Sequence, residues 1–595
     1  MSAQKFRRRT SLAATLLACS SYLFSQNSNQ QACPRPAIGS PVTSPAEIRS
    51  DHGSLTATLS FRTSLDPSGQ IRYCYIDADG HQSPTLRVHP GDLITLKLKN
   101  DLPKGDLLAA TPPSPHSHPA TTPCSPAHMT ADSTNLHFHG LSIPPACHQD
   151  ESLNTRIQPA DPAFEYQFRI PATQTPGLYW YHPHIHGNSE AQLLGGASGA
   201  LIVEEPESKA EEVKHEPGKG SKPTQSEAKK RQANENQAAK DAATNPTSEP
   251  LPERIFVIRD QSPAPDAEPG HPAKDLSVNF IAVPYPRYPM AILRTRPSRR
   301  EFWRVLNACA DTYLDLGVLF NGRYRQLGLV AVDGAPLARG PGHADGISWQ
   351  NDIPIPPGGR AEFVLDTPAE HVDAELLTLG VDTSLPNDED NPKTRTAIST
   401  TPVPESDDAN PPRQLVKIIA SADADETPTQ TVLPAPAPAS DLARAKPVRE
   451  RRFYFSEKVL DPQHPATSTV YYITEQGAKP EAFRLAAAPN VTVRSGDVED
   501  WVIENRSQES HAFHIHQLHF LTLQRDGAAT KEPYLRDTID VPYWDGTSPH
   551  FPSVKLRMDF RDPNIVGKFP YHCHVLQHAD GGMMGVIEVK PKLQK

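Results

Sequence analysis

The strongest constraint on this chain lies near its C-terminus. There His572-Cys573-His574 is followed by His578 and Met583, and is preceded by His511-x-x-His514-x-His516. Side chains alternate faces along a strand, so residues i and i+2 share a face. On a strand, Cys573 points one way and His572 and His574 point the other. His514 and His516 likewise share a face, and His511 points opposite. His511, Cys573, His578 and Met583 can therefore close one mononuclear site. A thiolate, two imidazoles and a weak axial thioether form the ligand set of a blue copper centre. His514, His516, His572 and His574 are left facing a different site.

The complement to those four imidazoles lies in the N-terminal third. His137-Phe138-His139-Gly140 is one His-x-His pair, and His182-Pro183-His184 is another, within Trp180-Tyr181-His182-Pro183-His184-Ile185-His186-Gly187. Each pair puts two imidazoles on one strand face. Eight histidines are enough for three coppers with open positions for oxygen. Singly these runs say little, since a lone His-x-His is commonly an ordinary pair and a lone cysteine a small buried hydrophobe. Four such runs, one with an embedded cysteine and a downstream methionine, are not explained that way. His186 shares parity with His182 and His184, but it is read as structural because eight histidines are already placed. His148 and His519 are left unassigned.

A length of 595 residues suggests three or four domains. The 63 prolines suit a β-rich protein with polar insertions, and the net charge of −11 argues against nucleic acid or anionic membranes as partners. Residues 1–30 read as an export signal. Lys5-Phe6-Arg7-Arg8-Arg9 is a basic n-region, and the apolar run from Ser11 to Ala18 is too short to span a bilayer. Leu16-Leu17-Ala18-Cys19 resembles a lipoprotein box, which would place a lipid anchor on Cys19. The alternative is an ordinary cleaved signal with Cys19 in its apolar core. Either way a location outside the cytoplasm is expected, in the periplasm, at the outer membrane or beyond, with no transmembrane span and a monomeric chain. Beyond Cys19 and Cys573, five cysteines remain: Cys33, Cys74, Cys124, Cys147 and Cys309. An odd number leaves at least one free unless chains cross-link. Cys124 with Cys147 is the preferred disulfide, and Cys33 with Cys74 stays open.

Leu93 to Asn100, Ala197 to Glu204 and Trp501 to Asn505 read as short strands, recurring with turn signals and few helical patterns. That favours an all-β chain of sandwiches or barrels. Residues 206–252 are rich in Glu, Lys, Ala, Gln and Pro and lack large apolar residues, so disorder is expected there. Residues 384–412 form an acidic, proline-rich insertion that reads the same way. Residues 424–447 contain Pro434-Ala435-Pro436-Ala437-Pro438, a polyproline-like linker. The loop at 103–133 carries His116, His118, Cys124, His128 and Met129. It is read as a polar loop rather than an accessory copper site.

On these residues the chain resembles a bacterial three-domain multicopper oxidase of the laccase type, with its four copper motifs in order. The likeness extends to Pro90-Gly91-Asp92, Gly195 to Ala200, Phe302 to Asn307, Pro356-Pro357-Gly358-Gly359-Arg360-Ala361 and Arg557 to Phe560. It covers about residues 50–205, 253–380 and 450–595. The resemblance implies three Greek-key cupredoxin domains, placed at 45–205, 253–423 and 448–595, the middle one without copper ligands. It implies four coppers per chain. His511, Cys573 and His578 would hold the type 1 copper with Met583 axial, which implies a low-to-middling potential. His137 and His514 would hold type 2, and His139, His182, His184, His516, His572 and His574 the type 3 pair. His572, Cys573 and His574 would carry electrons from a reductant to dioxygen. Asp150 sits where related bacterial enzymes often carry an acid, so a proton role is expected. Many relatives place a glutamate after the histidine equivalent to His578, but here Ala579 stands there, followed by Asp580. The implied activity is oxidation of phenols or related aromatics. The alternatives are a periplasmic oxidase of Cu(I), Fe(II) or Mn(II), weakened for Cu(I) by only six methionines, a silent cupredoxin scaffold, and a copper nitrite reductase, against which three domains argue.

Overall fold

Leu93–Asn100 is a strand whose Ile94, Leu96 and Leu98 fall at alternate positions and are buried, while Lys97 faces solvent. Such half-buried alternation builds one wall of a sandwich. In a computed structural model the regular structure of the described residues is mostly β. The structure describes residues 32–103, 122–126, 128–205, 250–263, 272, 274–339, 344–384, 410–424, 429–437, 441–463, 468–485, 487–530 and 534–592. The expected export signal with Cys19, residues 206–249 of the charged linker, residues 385–409 of the acidic insertion, and His116 and His118 lie outside the described residues.

One pairing pattern recurs three times. Ser54–Leu65 runs parallel to Leu93–Asn100, Leu251–Gln261 to Arg300–Asn307, and Arg449–Val459 to Val498–Asn505. In each case the first strand also pairs antiparallel with the strand that follows it, and the second with a later one. The described strands form six sheets, two in each repeat, giving three cupredoxin-type sandwiches.

Each sandwich has its own apolar core. Phe61, Tyr75, Leu96 and Phe138 sit in the first, Phe256, Trp303, Leu316 and Phe363 in the second, and Phe455, Trp501, Phe513 and Ile587 in the third. Burying each such side chain contributes roughly 1.5–3 kcal/mol. A further cluster joins all three: Leu178, Trp180 and Leu193 from the first, Val257 and Leu306 from the second, Leu576, Ala579 and Met584 from the third. Ala579, at the position where a glutamate relay was looked for, is thus part of this junction.

The polyproline-like linker is not free where it is described. Gln430–Thr431 pairs with Leu251 and Pro252, Leu433 is buried with Phe302 and Val364, and Ala437 bridges to Ala338. Two disulfides are formed, Cys33–Cys74 and Cys124–Cys147, while Cys309 and Cys573 are free and buried.

Candidate metal centre

Strand register decides which histidines meet. His511–Ile515 pairs antiparallel with Gly567–Cys573, so that His514 stands opposite His572 and Phe513 opposite Cys573. In the first sandwich, His137–His139 pairs with Gly177–His182, placing His137 opposite His182. The two sheets bring their histidines together across the boundary between sandwiches. His137 stacks on His516 with centroids 3.7 Å apart, and His139 stacks on His514 at 3.9 Å. All eight are buried.

On the opposite face Cys573 lies within the third core. Its Sγ is 3.6 Å from His511 Nδ1 and 3.7 Å from His578 Nδ1, and those two nitrogens are 3.0 Å apart. Each ring is oriented through its other nitrogen. His511 Nε2 is 2.6 Å from Ser507 Oγ, and His578 Nε2 donates to Glu509 Oε2 at 3.1 Å. A trigonal set of one sulfur and two nitrogens remains, suited to copper. Met583 is buried beside it in the same core, and its carbonyl accepts from Cys573 N.

The eight-histidine pocket resolves into groups. His139, His182 and His574 converge, as do His184, His516 and His572, while His137 and His514 meet beside His139. His572 Nε2 is 3.3 Å from His184 Nε2 and 3.2 Å from His516 Nε2. The Nδ1–H groups of His182, His514 and His572 donate to the carbonyls of Pro183, Asp537 and Cys573 at 2.9, 2.9 and 2.8 Å. This fixes their tautomer and turns each Nε2 lone pair inward. His137 Nε2, His139 Nδ1, His182 Nε2, His514 Nε2 and both ring nitrogens of His574 have no hydrogen-bond partner among the described residues. Buried nitrogens left unpaired are costly, and lone pairs aimed at shared points fit copper ions held by imidazole.

Electrostatics agrees with ligation. Burial is the largest cause holding the pKa of His139, His182, His184, His511, His514, His516 and His574 well below the ordinary histidine range, and it pulls His572 down to about 4. These rings are neutral at pH 7, as a metal requires. His578 differs. Burial pulls it down, but hydrogen bonds with Cys573 and Glu509 outweigh this and push it to about 10. A metal must displace the proton on its Nδ1, so loading of that site weakens as pH falls.

Asp150 lies against the pocket. Its carboxylate accepts from His137 Nδ1 at 3.0 Å, from Phe138 N at 3.0 Å and from Gln517 Nε2 at 2.5 Å. Asp580 is turned away, capping the helix Ser189–Leu194 by accepting from Gly187 N and Glu190 N. His186 contacts the Leu153 carbonyl and Phe483, and Met129 of the polar loop lies beneath its backbone N–H. His148 is exposed and stacks on Phe164. Sequence reasoning missed Asp537, which accepts from His139 Nε2 at 3.1 Å, and Arg360 and Asp333 behind it. The signal was a charged pair, Arg536-Asp537, inside the apolar-periodic stretch from Tyr534 to Val541.

Three sandwiches, a buried Cys–His–His set and an eight-histidine pocket between the outer two define a copper oxidase architecture. Residues 128–208 and 457–593 each match the multicopper oxidase family, whose members are oxygen-using oxidoreductases. It is 37% identical over 95 residues to multicopper oxidase mco of Staphylococcus aureus, covering 15% of this chain and 20% of that one. It is 22% identical over 512 residues to mco of Staphylococcus haemolyticus, covering 85% and 81%. Among solved structures it resembles a Campylobacter jejuni multicopper oxidase described as a metallo-oxidase, with a TM-score of 0.60, 19% identity and coverage of 95% and 98%. It also resembles a laccase-like multicopper oxidase, CueO, of Ochrobactrum sp., described as active towards lignin model compounds, with a TM-score of 0.58, 20% identity and coverage of 92% and 100%.

Proposed function

We propose that the chain takes electrons singly from a reducing substrate at the Cys573 centre and passes them to the eight-histidine pocket, where dioxygen is reduced to water. One observation carries this reading. Cys573 faces the sulfur–nitrogen set while its chain neighbours His572 and His574 face the other pocket, so a few covalent bonds join the two. In this reading four coppers bind. His511, Cys573, His578 and Met583 would hold type 1, and His137 and His514 would hold type 2. The trios His139–His182–His574 and His184–His516–His572 hold the type 3 pair. When bound, copper supplies the one-electron redox changes that side chains cannot sustain, and offers open positions to dioxygen. Four electrons and four protons convert one dioxygen into two waters.

The chain's own groups hold the nitrogens in place. Because three donors already occupy the Asp150 carboxylate, we read it first as a positioning residue for His137 rather than a free acid. Asp150→Asn is expected to weaken copper retention at His137 and His514 about 10–100-fold, as outer-shell changes do, with the thiolate–copper band intact. Copper analysis after dialysis measures this. Full retention with a shifted pH–rate profile would make Asp150 the proton donor instead.

The proposed donors are phenols or related aromatics, in keeping with the Ochrobactrum enzyme's described activity. A metal-ion donor is the second reading, favoured by Glu509. This partly exposed carboxylate accepts from His578, a type 1 ligand, and suits a cation. Oxygen uptake with phenols, Cu(I), Fe(II) and Mn(II) separates the two. If a metal ion is the donor, Glu509→Gln should lower its kcat/KM by about tenfold or more through lost attraction. Undiminished metal-ion turnover in that variant excludes the second reading's carboxylate. Export of a monomeric enzyme from the cytoplasm is part of the proposal, supported by the basic, apolar N-terminal run and by two disulfides, which persist in oxidising compartments. Among the described residues no helix is long and apolar enough to cross a membrane.

A further inference from the structure

The middle sandwich supplies none of the twelve proposed ligands, yet one of its side chains reaches the pocket between the other two. Arg360 is fully buried, and each of its five N–H donors has an acceptor. Nε donates to Leu178 O at 3.2 Å in the first sandwich. Nη1 donates to Gly358 O at 3.2 Å and Asp537 Oδ1 at 2.8 Å, and Nη2 to Asp333 O at 2.9 Å and Asp537 Oδ2 at 2.6 Å. One planar fork therefore binds all three sandwiches, and grips the third bidentately.

What Arg360 grips is in contact with the ligand set. The Asp537 carboxylate accepts from His139 Nε2 at 3.1 Å, and its backbone carbonyl accepts from His514 Nδ1 at 2.9 Å. Those two rings stack, one from the first sandwich and one from the third. Asp537 is held in turn by Asp333, whose Oδ2 accepts from the backbone N–H groups of Asp537 and Thr538 at 3.3 Å. The strand carrying Trp180 and His182 is gripped from the same side. Among the described residues strand His137–His139 pairs only with residues 180–182, which leaves the edge at Leu178 open there, and its N–H donates to Glu362 while its carbonyl accepts from Arg360. Glu362 continues a buried ion ladder through Arg304 and Glu253 to Arg87. The approach leaves no spare room. A Cβ on Gly140 would lie 2.5 Å from Arg360 Nη2 and 2.7 Å from Asp537 Oδ2, and one on Gly358 would lie 2.6 Å from His574 Nε2.

We propose that Arg360 is a positioning residue of the histidine pocket: through Asp537 it sets where His139 and His514 stand relative to each other, and this is the work of the ligand-free middle domain. The inference rests on the copper assignment above. Lysine cannot replace it, because an ammonium offers three donors on a flexible stem and no planar fork.

The test uses the full-length copper-loaded protein and the electron paramagnetic resonance signal of the copper at His137 and His514. In Arg360→Met that copper should be retained about 10–100-fold less tightly and its hyperfine pattern should change, while the thiolate–copper band stays. Asp537→Asn should do the same, and the double variant should be no worse than either single one, since both break one connection. Should Arg360→Met fail to fold, Arg360→Lys carries the test, with an altered pattern expected. An unchanged pattern with unchanged retention in whichever variant folds overturns the inference, as do additive losses in the double variant. A merely structural arginine would lower the melting temperature of copper-free protein and leave the signal alone. Wild-type protein that takes up no copper in the pocket sinks the copper assignment itself, which is a different outcome from a wild-type signal that the variants leave intact.

Discussion

Cys573→Ser is expected to abolish the thiolate-to-copper absorption band and bring oxygen uptake to background, with the near-ultraviolet band of the type 3 pair retained. The sulfur is the one thiolate in its set, 3.6 and 3.7 Å from two imidazole nitrogens. A serine hydroxyl is not ionised at neutral pH and does not stabilise Cu(I) as thiolate does. The backbone path to His572 and His574 survives, but no electron is loaded onto it. Serine is close in size to cysteine, and the site is the fully buried third core, so melting should fall modestly compared with the loss of turnover. The eight-histidine pocket takes no atom from the Cys573 side chain, so its spectrum should persist. A blue band that survives this substitution would remove Cys573 from the ligand set.

Removing copper should lower the melting temperature by about 10 °C or more. The pocket takes four histidines from the first sandwich and four from the third, so bound metal cross-links the two. Metal that binds only the folded state stabilises by about 4 kcal/mol per site at a thousandfold excess over its Kd. For domains of this size each kcal/mol is worth roughly 2–4 °C. Without metal the pocket keeps buried nitrogens unpaired, at about 1–3 kcal/mol for each. Calorimetry on one preparation, copper-loaded and then chelator-treated, measures the difference. Equal melting temperatures would show that the histidines do not share metal across the boundary.

Strand parity carried much of the site. It separated His511 from His514, and Cys573 from its neighbours, because alternation is local and readable from spacing. The strands foreseen at Leu93–Asn100 and around Trp501 formed for the same reason. Grouping of six histidines into two trios was not readable, since it depends on how two sheets face across a boundary between distant segments. Asp150 could be noticed by position, but not its attachment to His137 Nδ1. Arg360 stood inside a quoted motif without a role, because its partners Leu178, Asp333 and Asp537 are far apart in sequence and meet only when all three sandwiches pack. The linker at Pro434 looked extended from composition, and its docking depends on Leu433 finding a pocket formed by Phe302 and Val364.

The most direct test is copper quantitation together with absorption spectroscopy on the purified, copper-loaded chain. About four coppers per chain are expected, with a thiolate-to-copper band from the Cys573 set and a near-ultraviolet band from the type 3 pair. A colourless protein holding less than one copper per chain would contradict the copper assignment.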